Sequence, residues 1–145
     1  MEKLNGKWIG EYTYGEGYDV EKNNLVVSFE MELMFDGDSV KGTCVDDETK
    51  ELLPGPATLE GTLDNNFISF IKKYPCLIGN DEENKAIAVP DQPSLPIHYT
   101  GTLHKKLFTG RYVFEGEWEI TSIINNEDGS REYYTGMGYW TMMKA

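Results

Sequence analysis

The residues best equipped for chemistry in this chain are aromatic. Trp8, Tyr12, Tyr14, Tyr74, Tyr99, Tyr112, Trp118 and Trp140 each fall on the apolar phase of a segment whose side chains alternate. Alternation of period two marks a strand with one buried face, so these side chains are expected to share an inner wall. A buried tyrosine hydroxyl left unpaired costs about 1–3 kcal/mol. Several inward tyrosines therefore need a hydrogen-bonded network, ordered water or a ligand with a polar edge. Lys72 shares the inward phase of Ile68 and Phe70, where an ammonium requires an anion. Either it meets a ligand carboxylate or phenolate, aided by Asp46 on the phase of Gly42 and Cys44, or it sits at a rim and reaches water.

Other candidate chemistry is sparse. His98 falls on the outer phase and His104 in a turn, and neither has a Cys or His at zinc-ligand spacing. Asp36 and Asp38 lack the glycine and closing glutamate of a calcium loop. Glu115, Glu117 and Glu119 alternate on the outer phase and read as a solvated face. Gly15-Glu16-Gly17 lacks the third glycine and following helix of a dinucleotide site. No metal, cofactor or catalytic set is expected. An enzyme working through a tyrosine would need one with a strongly lowered pKa.

The elements that must position these groups are strands. The clearest runs from Leu25 through Val27, Phe29, Met31 and Leu33 to Phe35, with Ser28, Glu30 and Glu32 on the other face. Similar alternation covers Trp8 to Tyr14, Val40 to Cys44, Leu59 to Leu63, Ile68 to Tyr74, Ile97 to Leu103, Phe108 to Ile120, and Tyr134 to Met142. Leu107 to Ile123 reads as one long bent strand, giving eight, or as two folded at Glu115-Gly116, giving nine. The segment 75–96 is too long for an ordinary connection and reads as a loop, covering a site or solvated. Gly10, Gly42, Gly61, Gly101, Gly110, Gly116, Gly136 and Gly138 lie on the apolar phase. Inner-face glycines mark sharp coiling or close packing by a large neighbour. Closure of such a sheet also removes its exposed edges. The expected fold is all-β: a single antiparallel up-and-down barrel of about eight strands over residues 1–145.

Composition narrows the partners. With 145 residues the chain suits one domain. A net charge of -12 and no basic run longer than the pairs Lys72-Lys73 and Lys105-Lys106 argue against nucleic acid and anionic membranes. The two cysteines, Cys44 and Cys76, cannot make a framework of several bridges, and the opening residues carry no apolar signal region. A cytoplasmic location is expected.

At Gly6-Lys7-Trp8, near the start of the first strand, the chain resembles the calycins. That superfamily includes lipocalins, fatty-acid-binding proteins, avidins and nitrobindins, and the resemblance implies a barrel with Trp8 closing one end and a tendency to hold a small molecule. The ten residues from Gly15 to Asn24 leave no room for the two-helix lid of fatty-acid-binding proteins. Lys144 stands where lipocalins carry a late arginine, and the late histidine that binds haem in nitrobindins is missing. The expectation is thus a small-molecule-binding protein for a small hydrophobic, aromatic or anionic organic ligand. Its site would be lined by Trp8, Tyr12, Tyr14, Lys72, Tyr74, Tyr99, Tyr112, Trp118 and Trp140. The alternative is a packed barrel acting as an interaction or scaffold module with no internal ligand.

Overall fold

Alternation in sequence becomes sidedness in space. In β2 (Val26–Asp36) burial switches at every residue, with Val27, Phe29, Met31, Leu33 and Phe35 inside. The computed structural model describes residues 2–83 and 85–145. Around β2 the chain adds β1 (Gly6–Tyr14), β3 (Ser39–Asp46), β4 (Ala57–Asp64), β5 (Phe67–Lys73), β8 (Ile97–Lys105), β9 (Tyr112–Asn125) and β10 (Arg131–Lys144). These eight strands close into one antiparallel barrel in up-and-down order. Closure is made by β1 on β10, from Trp8 opposite Lys144 to Tyr14 opposite Gly138. The eight-strand expectation holds because Tyr112 to Asn125 is one continuous strand.

Inner-face glycines make room for indoles. A side-chain carbon at Gly138 would lie 2.5 Å from the Trp118 ring, and one at Gly101 would lie 2.7 Å from that of Trp140. Each indole also donates to backbone at its landing point: Trp118 to the Thr13 carbonyl at 3.0 Å, and Trp140 to Thr100 and Glu117 carbonyls at 3.1 and 3.0 Å. One end of the barrel is sealed. There Trp8, wholly buried, donates to the Leu4 carbonyl at 2.9 Å and packs 5.0 Å from the Phe114 ring. The turns after β2, β4 and β8 lie at this closed end, as the register of Gly6 opposite Leu33 and Ser39 opposite Thr62 requires.

The structure corrects several expectations. Phe108 does not face inward: it is fully exposed beside Leu107 in a turn closed by Gly110, whose φ of 68° and amide bond to the Lys106 carbonyl stop the strand. Its inward phase was a coincidence of spacing. Tyr134 is also exposed, because β9 pairs with β8 only as far as Ile120 and β10 with β1 only as far as Gly138. Beyond Met137, which still exchanges backbone hydrogen bonds with Gly15 and Glu16, the last hairpin stands out as two strands. Segment 75–96 is not a bare loop, since β6 (Leu77–Asn80) and β7 (Ala86–Val89) form a small hairpin of their own. A helical turn, α1 (Val20–Asn23), capped by Asp19, follows β1.

Candidate functional site

The open end of the barrel receives the ends of β1 and β3, α1, the turn after Asp46, and the β6–β7 hairpin. Between them lies a cavity of about 260 Å³ lined by Tyr12, Tyr14, Tyr18, Lys22, Glu48, Thr49, Tyr74, Ile78, Ala86, Ile97, Tyr99, Trp118 and Ile120. Beneath it the barrel is filled with side chains.

A buried ion pair lies just beneath the floor. Lys72 comes from β5 and Asp46 from the last residue of β3; their side chains are 1% and 0% exposed and 3.3 Å apart. Asp46 is fully engaged: Oδ1 accepts from the Thr49 amide at 2.8 Å and hydroxyl at 2.9 Å, and Oδ2 from the Tyr74 hydroxyl at 2.6 Å. Burial opposes the charge of Asp46, but Lys72 and the bonds from Tyr74 and Thr49 outweigh it and hold the carboxyl below its usual range. Burial likewise opposes the charge of Lys72, and its surroundings, Asp46 among them, nevertheless hold its pKa well above the ordinary value. The ammonium also stands 4.7, 5.2 and 5.7 Å from the ring centres of Tyr74, Tyr12 and Tyr99, within cation–π range.

The wall nearest solvent is built on Glu48. Tyr12 donates to its Oε1 at 3.1 Å, and Tyr14 makes a second hydrogen bond to the same oxygen. Lys22, reaching over from α1, lies 3.6 Å from Oε2 and 4.8 Å from the centre of the Tyr14 ring. Tyr14, Tyr18 and Trp118 meet edge to face or tilted, with ring centres 4.7 to 5.8 Å apart. Burial, reinforced by Glu48, pushes the hydroxyls of Tyr14 and Tyr18 up from their usual pKa, and burial with Tyr74 and Asp46 does so for Tyr12. Tyr74 is raised by burial despite Lys72, and Tyr99 is pushed up to about 12 for the same reason. At neutral pH these hydroxyls are donors. None has the lowered pKa that acid–base chemistry through a tyrosine would need.

The expected site residues divide into three groups. Tyr12, Tyr14, Tyr74, Tyr99 and Trp118 line the cavity together. Lys72 is not among the lining residues: it lies buried beneath the cavity, away from any water-exposed rim, and is paired there with Asp46. Trp8, Tyr112 and Trp140 lie elsewhere: Trp8 seals the closed end, Tyr112 starts β9 at that end opposite Lys105, and the Trp140 indole is spent on Gly101 and backbone carbonyls. Inward phase says which wall a side chain joins and nothing about its height along the barrel.

The sequence marks Ile97 and Ile120 as inward without assigning them to the site, and it misses Glu48, Thr49, Tyr18, Lys22, Ile78 and Ala86. Glu48 continues the alternation of Cys44 and Asp46 by one more step, so its inward aim was there to be read. The others stand on segments with no strand pattern, and only the folding of those segments over the mouth brings them in.

No protein-family model matches this sequence, and no curated protein does. Among solved structures the chain is similar to rhizavidin, at 12% identity and a TM-score of 0.49 over 94% of this chain and 83% of that one. It is also similar to short afifavidin in complex with biotin, at 16% identity and a TM-score of 0.45 over 92% and 87% of the two chains. The all-β barrel itself, closed and in up-and-down order, is given by the strand pairings.

Proposed function

We propose that this protein binds a small organic molecule with an aromatic ring at the open end of the barrel. One observation carries the reading: the barrel is packed with side chains through its lower part, yet leaves a cavity of about 260 Å³ at the mouth. Its walls mix aromatic and aliphatic surface with hydroxyls and one carboxylate, the pattern of sites that bind by burial and orient by a few polar groups. Ligand cavities commonly run about 300–1,000 Å³, so this one suits one or two rings and no more. An anionic ligand has less to recommend it, because the buried cation that would have met it, Lys72, is held by Asp46. A cytoplasmic setting is part of the proposal, and two buried, unbridged cysteines are compatible with it.

The test is a fragment screen of one- and two-ring aromatics, read by proton–carbon NMR of Ile97, Ile120 and the tyrosine rings. Expected are chemical-shift changes confined to the mouth, with tryptophan fluorescence, to which Trp118 contributes, following the same titration. A screen at millimolar concentrations in which no fragment moves those signals would overturn the proposal. The interaction-module reading has its own observation, the fully exposed Leu107 and Phe108 at the closed end.

A further inference from the structure

We infer that the mouth site selects an organic cation: an aryl-alkyl ammonium whose charged head replaces the ammonium of Lys22 on Glu48. This deepens the small-molecule reading above and rests on it. The decisive feature is that the chain already supplies such a head from outside the barrel. Lys22 stands on a single helical turn with its side chain 47% exposed, yet it reaches both the Glu48 carboxylate at 3.6 Å and the face of Tyr14 at 4.8 Å. A carboxylate and an aromatic face together are what an ammonium seeks.

The rest of the site is consistent with a cation and unhelpful to an anion. Glu48 is held in place by Tyr12 and Tyr14, which both donate to one oxygen and leave Oε2 to the ammonium. The Tyr14, Tyr18 and Trp118 rings stand beside it and offer further ring faces or edges. The deeper charges, Lys72 and Asp46, cancel each other under the floor. With a net charge of -12 the whole molecule also draws cations toward its surface. Lys22 is the part that can leave: an exposed lysine in a surface ion pair is weakly held, and release returns its ammonium to water. The ligand's ring would then occupy the cavity while its ammonium takes the place of Lys22.

The experiment compares three probes of one shape, 2-phenylethylamine, 2-phenylethanol and 3-phenylpropionate, titrated by calorimetry and by tryptophan fluorescence at pH 7. The amine is expected to bind a few-fold more tightly than the alcohol, less than the roughly ten-fold of a cation–π contact combined with a partly screened ion pair, because it must displace Lys22 from the same contacts. The carboxylate is expected to bind most weakly. Lys22→Gln should raise the ratio of amine to alcohol affinity several-fold, since the amine's internal competitor is gone. Glu48→Gln, which keeps oxygen and shape for Tyr12 and Tyr14, should erase the preference for the amine, with circular dichroism confirming the fold. Equal or tighter binding of the alcohol or the carboxylate overturns the cation inference and leaves the small-molecule reading standing. No binding of any probe, together with a silent fragment screen, overturns both.

Discussion

Replacing Lys72 with methionine tests the buried pair most directly. Methionine has similar length and no charge, so the change leaves little cavity but strands a carboxylate that is 0% exposed. Removing one member of a buried ion pair commonly costs about 3–5 kcal/mol. Asp46 keeps three hydrogen bonds, from the Thr49 amide, the Thr49 hydroxyl and the Tyr74 hydroxyl, which argues for the lower end, about 3 kcal/mol. For a chain of this size each kcal/mol moves Tm by about 2–4 °C, so the variant should melt about 6–12 °C lower. Adding Asp46→Asn removes the stranded charge and should recover most of the loss, since a buried pair replaced as a unit is often nearly neutral. The pH dependence has a definite sign. In the parent protein the Asp46 pKa lies below its ordinary 3.8, so its contribution is present above that pH and is lost as pH falls through the lower folded value. In Lys72→Met, burial acts without the ammonium and raises the Asp46 pKa, so the deficit should be larger at pH 7 than at pH 4. Urea denaturation of the four proteins of the cycle at both pH values measures all of this. A loss below about 1 kcal/mol at pH 7 for Lys72→Met would refute a charged pair in a dry floor.

Three further outcomes follow from the packing and the mouth. Gly138→Ala should destabilise the fold by about 1–3 kcal/mol and change Trp118 emission, because the new methyl would meet the Trp118 ring at 2.5 Å and the Thr13 carbonyl at 1.9 Å; denaturant unfolding followed by fluorescence checks both. Tyr12, Tyr14, Tyr74 and Tyr99 should stay protonated in the folded protein at pH 11 in a tyrosinate absorbance titration. Their folded pKa values are raised above the ordinary 10, so the stability tied to them is complete below pH 10 and is lost as pH rises through the folded values. The Cys44 thiol, 2% exposed and pushed up by burial to about 11, should ignore Ellman's reagent until guanidinium unfolds the chain.

The amino-acid order by itself determined the wall. Period two along β2 and its neighbours, with glycines on the inner phase, requires a sheet that has one apolar face and coils tightly, because side-chain alternation is a local property of extended backbone. Closure followed, since such a sheet has no other way to lose its edges. Local pattern also placed Lys72 and Asp46 inside. Height along the barrel was another matter. Whether Tyr112 or Tyr14 stands at the mouth depends on the stagger between strands far apart in sequence, and only the register of β8, β9, β10 and β1 decided it. The same holds for Tyr18 and Lys22, whose segment has no periodicity to read and takes its place only when the barrel beneath it exists. Phe108 shows the opposite failure, an inward phase cancelled by one glycine with positive φ two residues later. Alternation is written in neighbouring residues; the site is written in pairings between distant ones, and pairing is settled by the packing of the whole.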